Sequence, residues 1–279
     1  MPAIRYQLLN VFAETTFGGN PLAVIEDGSG LSDADMQAVA RQFNLSETTF
    51  LLPSTVAAAR VRIFTPTYEM PFAGHPTLGS AQVVSDLLRA GERFSIEMKG
   101  GVIPVRRRDG RWTLSANAAR HRLMEATSAE LAAMLGLPAN AIVGPAYWMD
   151  CGTEQPMIEL ASVEHVHACR PVASLMAQWS RNTAGQPKTY VFARTAEGFE
   201  SRYFWMTGEN SISEDPGTGS ACANLGAWWL LTQGDRPLHA IVRQATAINR
   251  PSVLTLDVEQ GKVEVGGRVI VLGKGELSW

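Results

Sequence analysis

Residues 217–234 read GTGSACANLGAWWLLTQG, and a similar glycine-bounded segment, GHPTLGSAQVVSDLLRAG, occupies residues 74–91. The two segments are offset by about half the length of the 279-residue chain. At this offset Gly91 aligns with Gly234, and glycine is the residue that commonly ends a helix. The second segment is apolar on nearly every face, so a helix formed from it must be surrounded by protein. The pair therefore predicts a buried central helix in each half of the chain.

The sequence around these segments is rich in short strand-like runs. They contain many β-branched and aromatic residues, and several alternate apolar with polar positions, as half-buried antiparallel strands do. The runs are residues 4–13, 59–65, 94–98, 101–108, 111–116, 155–160, 189–194, 201–206, 252–258, 262–267 and 268–273. Two further helices are predicted over residues 31–44, capped by Ser32, and 128–137, capped by Ser128. Strands outnumber helices without regular alternation, so the sequence predicts an α+β fold of two pseudo-duplicated halves.

Composition excludes several classes of protein. The net charge is −3, which argues against a strongly basic nucleic-acid binder. The three cysteines, Cys151, Cys169 and Cys222, are isolated in sequence, which favours a reducing compartment without disulfides or structural zinc. Residues 1–19 lack the basic start and long apolar run of a secretory signal, so none is expected, and no apolar run approaches the roughly 20 residues of a membrane span. We expect a cytoplasmic protein without a metal site, a nucleic-acid partner or a membrane partner.

Three stretches carry the groups most capable of chemistry. They are NLSETTF (44–50), FAGHPTLG (72–79) and SEDPGTGSA (213–221). Taken singly, Glu47 also fits a solvated acid at a strand start, His75 a turn residue, and Asp215 a helix N-cap. The glycines at both helix starts would let a small anion, such as a carboxylate, approach the backbone N–H groups. No lysine follows these glycines as a phosphate-binding loop requires.

A resemblance to the PhzF-like family, the isomerases related to the phenazine biosynthesis enzyme, runs along nearly the whole chain. It rests on VFAETTFGGNPLAVI (11–25), NLSETTF (44–50), RIFTPTYEMPFAGHPTLGSA (62–81), EDPGTGSA (214–221) and GGRVIVLGKGEL (266–277). The resemblance implies a diaminopimelate epimerase-like fold, in which each half is a curved, mostly antiparallel sheet or barrel around a central helix. We expect the first half to comprise residues 1–118 with a strand at about 269–279, and the second half residues 119–268. The active site is expected between the halves, and a homodimer is implied by the resemblance alone.

The resemblance also implies roles for individual residues. In the best-understood member, the glutamate of the NLSE-type segment moves a proton across an unsaturated ring, isomerising trans-2,3-dihydro-3-hydroxyanthranilate. Here that glutamate is Glu47, and a glutamate enclosed by apolar walls can take up and return a proton near neutral pH. His75 and Asp215 match the other polar positions, which are expected to bond the substrate and orient Glu47. The expected site for a substrate carboxylate consists of Gly74, Gly219 and Ser220.

These observations predict a cofactor-independent isomerase that moves a proton and a double bond in a small carboxylate-bearing molecule. Cyclic amino-acid-like compounds are among the candidate substrates. No nucleotide fingerprint or Schiff-base lysine setting is present, so no cofactor is expected. One alternative is an epimerase or racemase that uses Glu47 and His75, since no cysteine stands at either glycine turn. Another alternative is a catalytically silent binding protein on the same fold.

Overall fold

The strand-rich character of the sequence is confirmed in a computed structural model, which describes residues 3–278. The helices are α1 (Asp33–Phe43), α2 (Gly74–Leu88), α3 (Ser128–Leu135), α4 (Val163–Ala168), α5 (Ala173–Trp179) and α6 (Gly219–Gln233). The first strands are β1 (Ala3–Val11), β2 (Asn20–Ile25), β3 (Thr48–Leu52), β4 (Ala59–Phe64), β5 (Glu69–Met70), β6 (Arg93–Met98), β7 (Gly101–Arg108) and β8 (Arg111–Ser115). The later strands are β9 (Arg120–Leu123), β10 (Tyr147–Asp150), β11 (Glu154–Glu159), β12 (Lys188–Arg194), β13 (Gly198–Gly208), β14 (Ser211–Asp215), β15 (Leu238–Gln244), β16 (Ser252–Glu259) and β17 (Lys262–Ser278). Strands and helices do not alternate regularly, which confirms the predicted α+β class.

The chain divides into two compact units, Met1–Ser115 with Gly266–Trp279, and Ala116–Val265. The sequence placed these divisions at residues 118 and 269, and its predicted first half includes residues 1, 2 and 279, which lie outside the described range. β17 begins in the second unit and continues into the first. The first unit is therefore built from two separate stretches of sequence, whereas the second unit is continuous.

The strands of the first unit close into a barrel around α2. The hydrogen-bonded order is β1, β2, β3, β4, β6, β7, β8 and β17, and β17 pairs again with β1. Residues 75–84 of α2 are buried because the helix packs against several strands of the ring. At Gly79 a Cβ atom would lie 2.5 Å from Leu22 Cδ2 and 2.8 Å from Leu9 Cδ1, so glycine permits this close approach.

The second unit also packs an apolar helix against its strands. Neighbouring strands run in the order β9, β10, β11, β12, β13, β15 and β16, and β14 forms a hairpin with β13. Residues 221–229 of α6 are buried against strands that include β10, β11 and β16, which confirms that this helix is enclosed by protein. In β12, Phe192 contacts Trp228 of α6, while the adjacent Val191 joins the core formed with α3, α4 and α5. The strands of this unit therefore carry helices on both faces.

Three local predictions were wrong. Thr127, not Ser128, caps α3, because its hydroxyl accepts from the Glu130 N–H while the Glu130 carboxylate accepts from the Thr127 N–H. α2 ends at Leu88 rather than near Gly91, because Arg89 already takes the left-handed conformation that stops the helix. The two strands predicted at 262–267 and 268–273 are one continuous strand, β17. By contrast, Ser32 does cap α1, and Gly234 does follow α6.

Candidate active site

Glu47 lies where the chain leaves α1 and enters the barrel. α1 ends at Phe43, and Asn44 takes a left-handed conformation that redirects the chain toward β3. Glu47 directly precedes β3, whose first residues are fully or largely buried. The Glu47 side chain is 15% exposed. It is therefore a largely enclosed carboxyl group rather than a solvated acid at the start of a strand.

His75 is the second residue of α2, and its imidazole is buried at the start of the helix. One ring nitrogen donates a hydrogen bond to the Pro21 carbonyl. Nε2 makes no hydrogen bond within the described residues, so the donor is Nδ1. Burial lowers the pKa of His75 from 6.5 to about 3, and the bond to Pro21 opposes this shift only in part. His75 is therefore a neutral imidazole with a lone pair on Nε2.

The side chains of Glu47 and His75 meet inside the first unit. His75 Nε2 lies 3.5 Å from Glu47 Oε2. The neutral imidazole does not form an ion pair there, and its lone pair forms a hydrogen bond only with a protonated carboxyl. The charge of Glu47 also acts on Tyr68, because burial first and this negative charge second raise the pKa of its half-exposed phenol. The first unit thus places a carboxyl beside an imidazole acceptor.

Asp215 is the last residue of β14, and its carboxylate accepts a short hydrogen bond from the Thr218 hydroxyl. The buried Gln244 fixes the direction of that bond. Gln244 Oε1 accepts from the Thr218 N–H at 3.2 Å, and Nε2 donates to the Asp215 carbonyl and to Thr218 Oγ1, each at 2.9 Å. Since Thr218 Oγ1 accepts from Gln244, its own hydrogen is the one donated to Asp215. The N-cap of α6 is Thr218, so Asp215 is not the N-cap that the sequence left open.

Ser220 is the second residue of α6, and its hydroxyl accepts a hydrogen bond of 2.9 Å from Gln155 Nε2. Gln155 belongs to β11 and is buried. Its Oε1 accepts from Asn224, one turn further along α6, at 2.8 Å. The polar groups at the start of α6 are therefore held by buried amide side chains from neighbouring elements.

The N-termini of α2 and α6 lack side-chain caps, whereas α1 and α3 each begin with a capping box. Ala73 precedes α2 and offers no capping group. Thr218 precedes α6, but its hydroxyl bonds to Asp215 instead. The first residues of the two helices, Gly74 and Gly219, add no side chain over the backbone. A helix start of this kind favours a small anion through its N–H groups and its partial positive charge.

The predicted residues thus form one group in each unit. Glu47, His75 and Gly74 belong to the first unit, and Asp215, Gly219 and Ser220 belong to the second. Sequence reasoning missed the supporting residues Pro21, Gln155, Thr218, Asn224 and Gln244. Thr218 follows Asp215 by three residues, a local spacing that could have indicated their hydrogen bond. The contacts of the other residues join segments that are distant in the sequence.

The cysteines are unsuited to acid–base chemistry near neutral pH. Burial raises the pKa of Cys169 and Cys151 to about 12. Cys222 is fully buried within α6, and burial raises the pKa of its thiol further. These thiols stay protonated, so none serves as a thiolate base.

Within residues 3–278, no group of three or more His, Cys, Asp or Glu side chains is arranged to hold a metal ion. His165 and His167, two residues apart, lie on the short helix α4, so they do not share a face. Over the same residues, no helix has the length and apolar character needed to cross a membrane.

Known proteins resemble this chain over nearly its whole length. The profile of the phenazine biosynthesis-like proteins, PhzC-PhzF, matches residues 9–276. An uncharacterized isomerase of Pasteurella multocida is 39% identical over 276 residues, covering 98% of this chain and 93% of that protein. The trans-2,3-dihydro-3-hydroxyanthranilate isomerase of Pseudomonas aeruginosa is 34% identical over 278 residues, covering 97% and 96%. The crystal structure of a PhzF-family phenazine biosynthesis protein of Bacillus anthracis has the same fold, with a TM-score of 0.89 at 23% identity and 100% coverage of both chains. The chain is therefore an isomerase that belongs to the phenazine biosynthesis-like (PhzC-PhzF) family.

Proposed function

We propose that this isomerase moves a proton, and with it a double bond, within a small carboxylate-bearing substrate, without a cofactor. Glu47 is the acid and base of the reaction. The observation that carries the proposal is the contact of the enclosed Glu47 carboxyl with a neutral, buried His75. A carboxyl that is shielded from water and close to a hydrogen-bond acceptor is suited to holding a proton and giving it back.

His75 orients Glu47 in this scheme. Its Nδ1–H is engaged by the Pro21 carbonyl, so the ring cannot rotate freely, and Nε2 is directed at Glu47. When Glu47 carries the proton, the O–H can point at Nε2. When Glu47 is ionised, the Nε2 lone pair has no proton to donate to it, so His75 does not stabilise the carboxylate form.

The reaction conserves protons. The Glu47 carboxylate removes a proton from a substrate carbon next to the unsaturated system, and the electron pair of the broken C–H bond spreads over that system. The same carboxyl group returns the proton to another carbon of the system, so the double bond moves and no net charge changes. The uncapped starts of α2 and α6, with Gly74, Gly219 and Ser220, are assigned to the substrate carboxylate. Asp215 is assigned to a donor group of the substrate.

Deuterium incorporation tests the proposal. The relative's substrate, trans-2,3-dihydro-3-hydroxyanthranilate, and a panel of unsaturated cyclic amino-carboxylates are incubated with the enzyme in D2O and followed by NMR. We expect a shifted double bond and, after exchange at Glu47, deuterium at the carbon that receives the proton. Glu47→Gln should lower the rate by about 10²–10⁴-fold, because a positioned acid–base group contributes that much.

The matched control is Glu92→Gln, which makes the same substitution at an exposed glutamate of the first unit. It should leave the rate unchanged. A Glu47→Gln rate within twofold of the parent enzyme rejects the proposal. If a stereocentre is inverted and the double bond does not move, the enzyme is an epimerase and the proposed double-bond shift is wrong. The homodimer implied by the sequence stays a prediction, which a light-scattering mass of twice 30.2 kDa would support.

A further inference from the structure

We infer that Gln155 is a positioning residue, which holds the hydroxyl of Ser220 as a hydrogen-bond donor toward the substrate carboxylate. Ser220 touches the substrate in the proposed function, and the inference rests on that assignment. Gln155 itself acts only through Ser220. The inference follows from the directions of the hydrogen bonds in a buried chain of amide side chains.

The chain of amides starts at the backbone. The Cys151 N–H donates to Asn224 Oδ1 at 2.8 Å, and Asn224 Nδ2 donates to the Thr153 carbonyl at 2.9 Å. A peptide N–H can only donate and a carbonyl oxygen can only accept, so these two contacts fix which end of the Asn224 amide is oxygen. Asn224 is fully buried, so no exchange with water competes with this orientation.

The direction passes from Asn224 to Gln155 and from Gln155 to Ser220. Asn224 Nδ2 also donates to Gln155 Oε1 at 2.8 Å, so the remaining amide atom of Gln155 is the Nε2 donor. That nitrogen lies 2.9 Å from Ser220 Oγ, and an amide nitrogen cannot accept. The Ser220 oxygen therefore accepts from Gln155, and its hydrogen is directed to a different acceptor.

This orientation suits an anionic ligand. Ser220 is only partly buried and lies in the first turn of α6, where the helix contributes a partial positive charge. A hydroxyl that donates there adds a hydrogen bond to a carboxylate, whereas a hydroxyl that donates to its neighbour would present lone pairs to it. Gln155→Glu makes this reversal at nearly constant shape. The new carboxylate keeps the acceptor for Asn224 but takes the Ser220 hydrogen, and it adds a negative charge.

The test measures the Kd of 3-hydroxyanthranilate, a stable aromatic amino-carboxylate, by titration calorimetry. Ser220→Ala should weaken binding about tenfold, since it removes a hydrogen bond to a charged group. Gln155→Glu should weaken binding at least as much. The Kd of the variant that carries both substitutions should be close to the Kd of whichever single variant binds more weakly. The matched control, Gln233→Glu, places the same substitution at the far end of α6 and should change Kd less than twofold. Should Gln155→Glu fail to fold, Gln155→Met removes the donor without adding charge and should weaken binding at least threefold.

A second measurement needs no ligand. Hydrogen exchange of the Gln155 side-chain amide, followed by ¹⁵N NMR, should accelerate at least fivefold in Ser220→Ala, while that of Asn224 stays unchanged. The inference is overturned if the unmodified chain binds the probe no better than Gln155→Glu, or if the Gln155 exchange rate does not respond. Neither result affects deuterium incorporation by Glu47, which tests the proposed function separately.

Discussion

The buried imidazole of His75 makes the stability of the protein depend on pH. Its pKa is about 3 in the folded chain against an ordinary 6.5, with burial as the main cause. Between these pH values the unfolded chain binds a proton that the folded chain does not. The free energy of unfolding is therefore highest, as far as His75 is concerned, above pH 6.5, and it falls as the pH is lowered. The expected loss is about 1.4 kcal/mol per pH unit, or about 2 kcal/mol from pH 6.5 to 5. Urea unfolding at a series of pH values measures it.

The origin of this pH dependence is tested by replacing one histidine at a time. His75→Gln should remove the part of the slope that His75 contributes, although it also lowers stability at neutral pH by disturbing a buried site. His239→Gln is the control, because the His239 side chain is 69% exposed. An unchanged slope in His75→Gln would show that the acid sensitivity comes from other groups.

The chemistry of single residues was only partly readable from the sequence. Glu47, His75 and Asp215 stand in short motifs, and the strand that the sequence places directly after Glu47 is present as β3. The protonation state of His75 was not predictable, because it depends on burial and on the carbonyl of Pro21, which belongs to a distant strand. A local motif identifies a group that can do chemistry, but tertiary contacts determine the protonation state of that group.

The two central helices depend on glycine where they cross their strands. At Gly226 a Cβ atom would lie 2.5 Å from Val263 Cγ1 and 2.9 Å from Leu256 Cδ1. The valine methyl is attached directly to Cβ, so it cannot swing away without a rotamer change or a shift of the strand. Gly226→Ala should therefore destabilise the protein by about 1–3 kcal/mol despite the better helix propensity of alanine. Thermal or urea unfolding measures the change.

Two further alanine variants make that experiment specific. Gly79→Ala should destabilise the protein less than Gly226→Ala does. The nearest atoms at Gly79 are the ends of the Leu22 and Leu9 side chains, which have more freedom to move. Gly30→Ala meets no atom within 4 Å and should be nearly neutral. Equal effects at Gly226 and Gly30 would contradict the packing explanation.

Elements were predicted well where the pattern was long and poorly where pairing was distant. The apolar character of α6 on all faces identified a buried helix correctly. β2 was missed, although it pairs in parallel with β3 and contains Pro21. It is short and lies within a motif segment, so no periodicity marks it. The continuity of β17 was also missed, since paired glycines within a strand look like a turn in the sequence.

β17 links the two units covalently and completes the barrel of the first one. Nine of its residues pair with β1, from Val269↔Val11 to Ser278↔Ala3, and it also pairs with β8. A chain truncated after Val265 keeps every residue of the second unit but leaves β1 and β8 without this partner. We expect thermolysin to digest residues 3–115 rapidly in the truncated chain, while residues 116–265 persist as a fragment visible by mass spectrometry. The full chain should resist under the same conditions.

The same truncation separates structural from catalytic requirements. Glu47 and His75 belong to the unit that loses its closing strand, whereas Asp215 and Ser220 belong to the unit that stays intact. The truncated chain should therefore lose deuterium incorporation while it keeps the slow side-chain exchange of Gln155. Equal digestion of both units would mean that the second unit does not fold independently of the first. Persistence of both would mean that the barrel does not need its last strand, and that the ring of pairings overstates the contribution of β17 to stability.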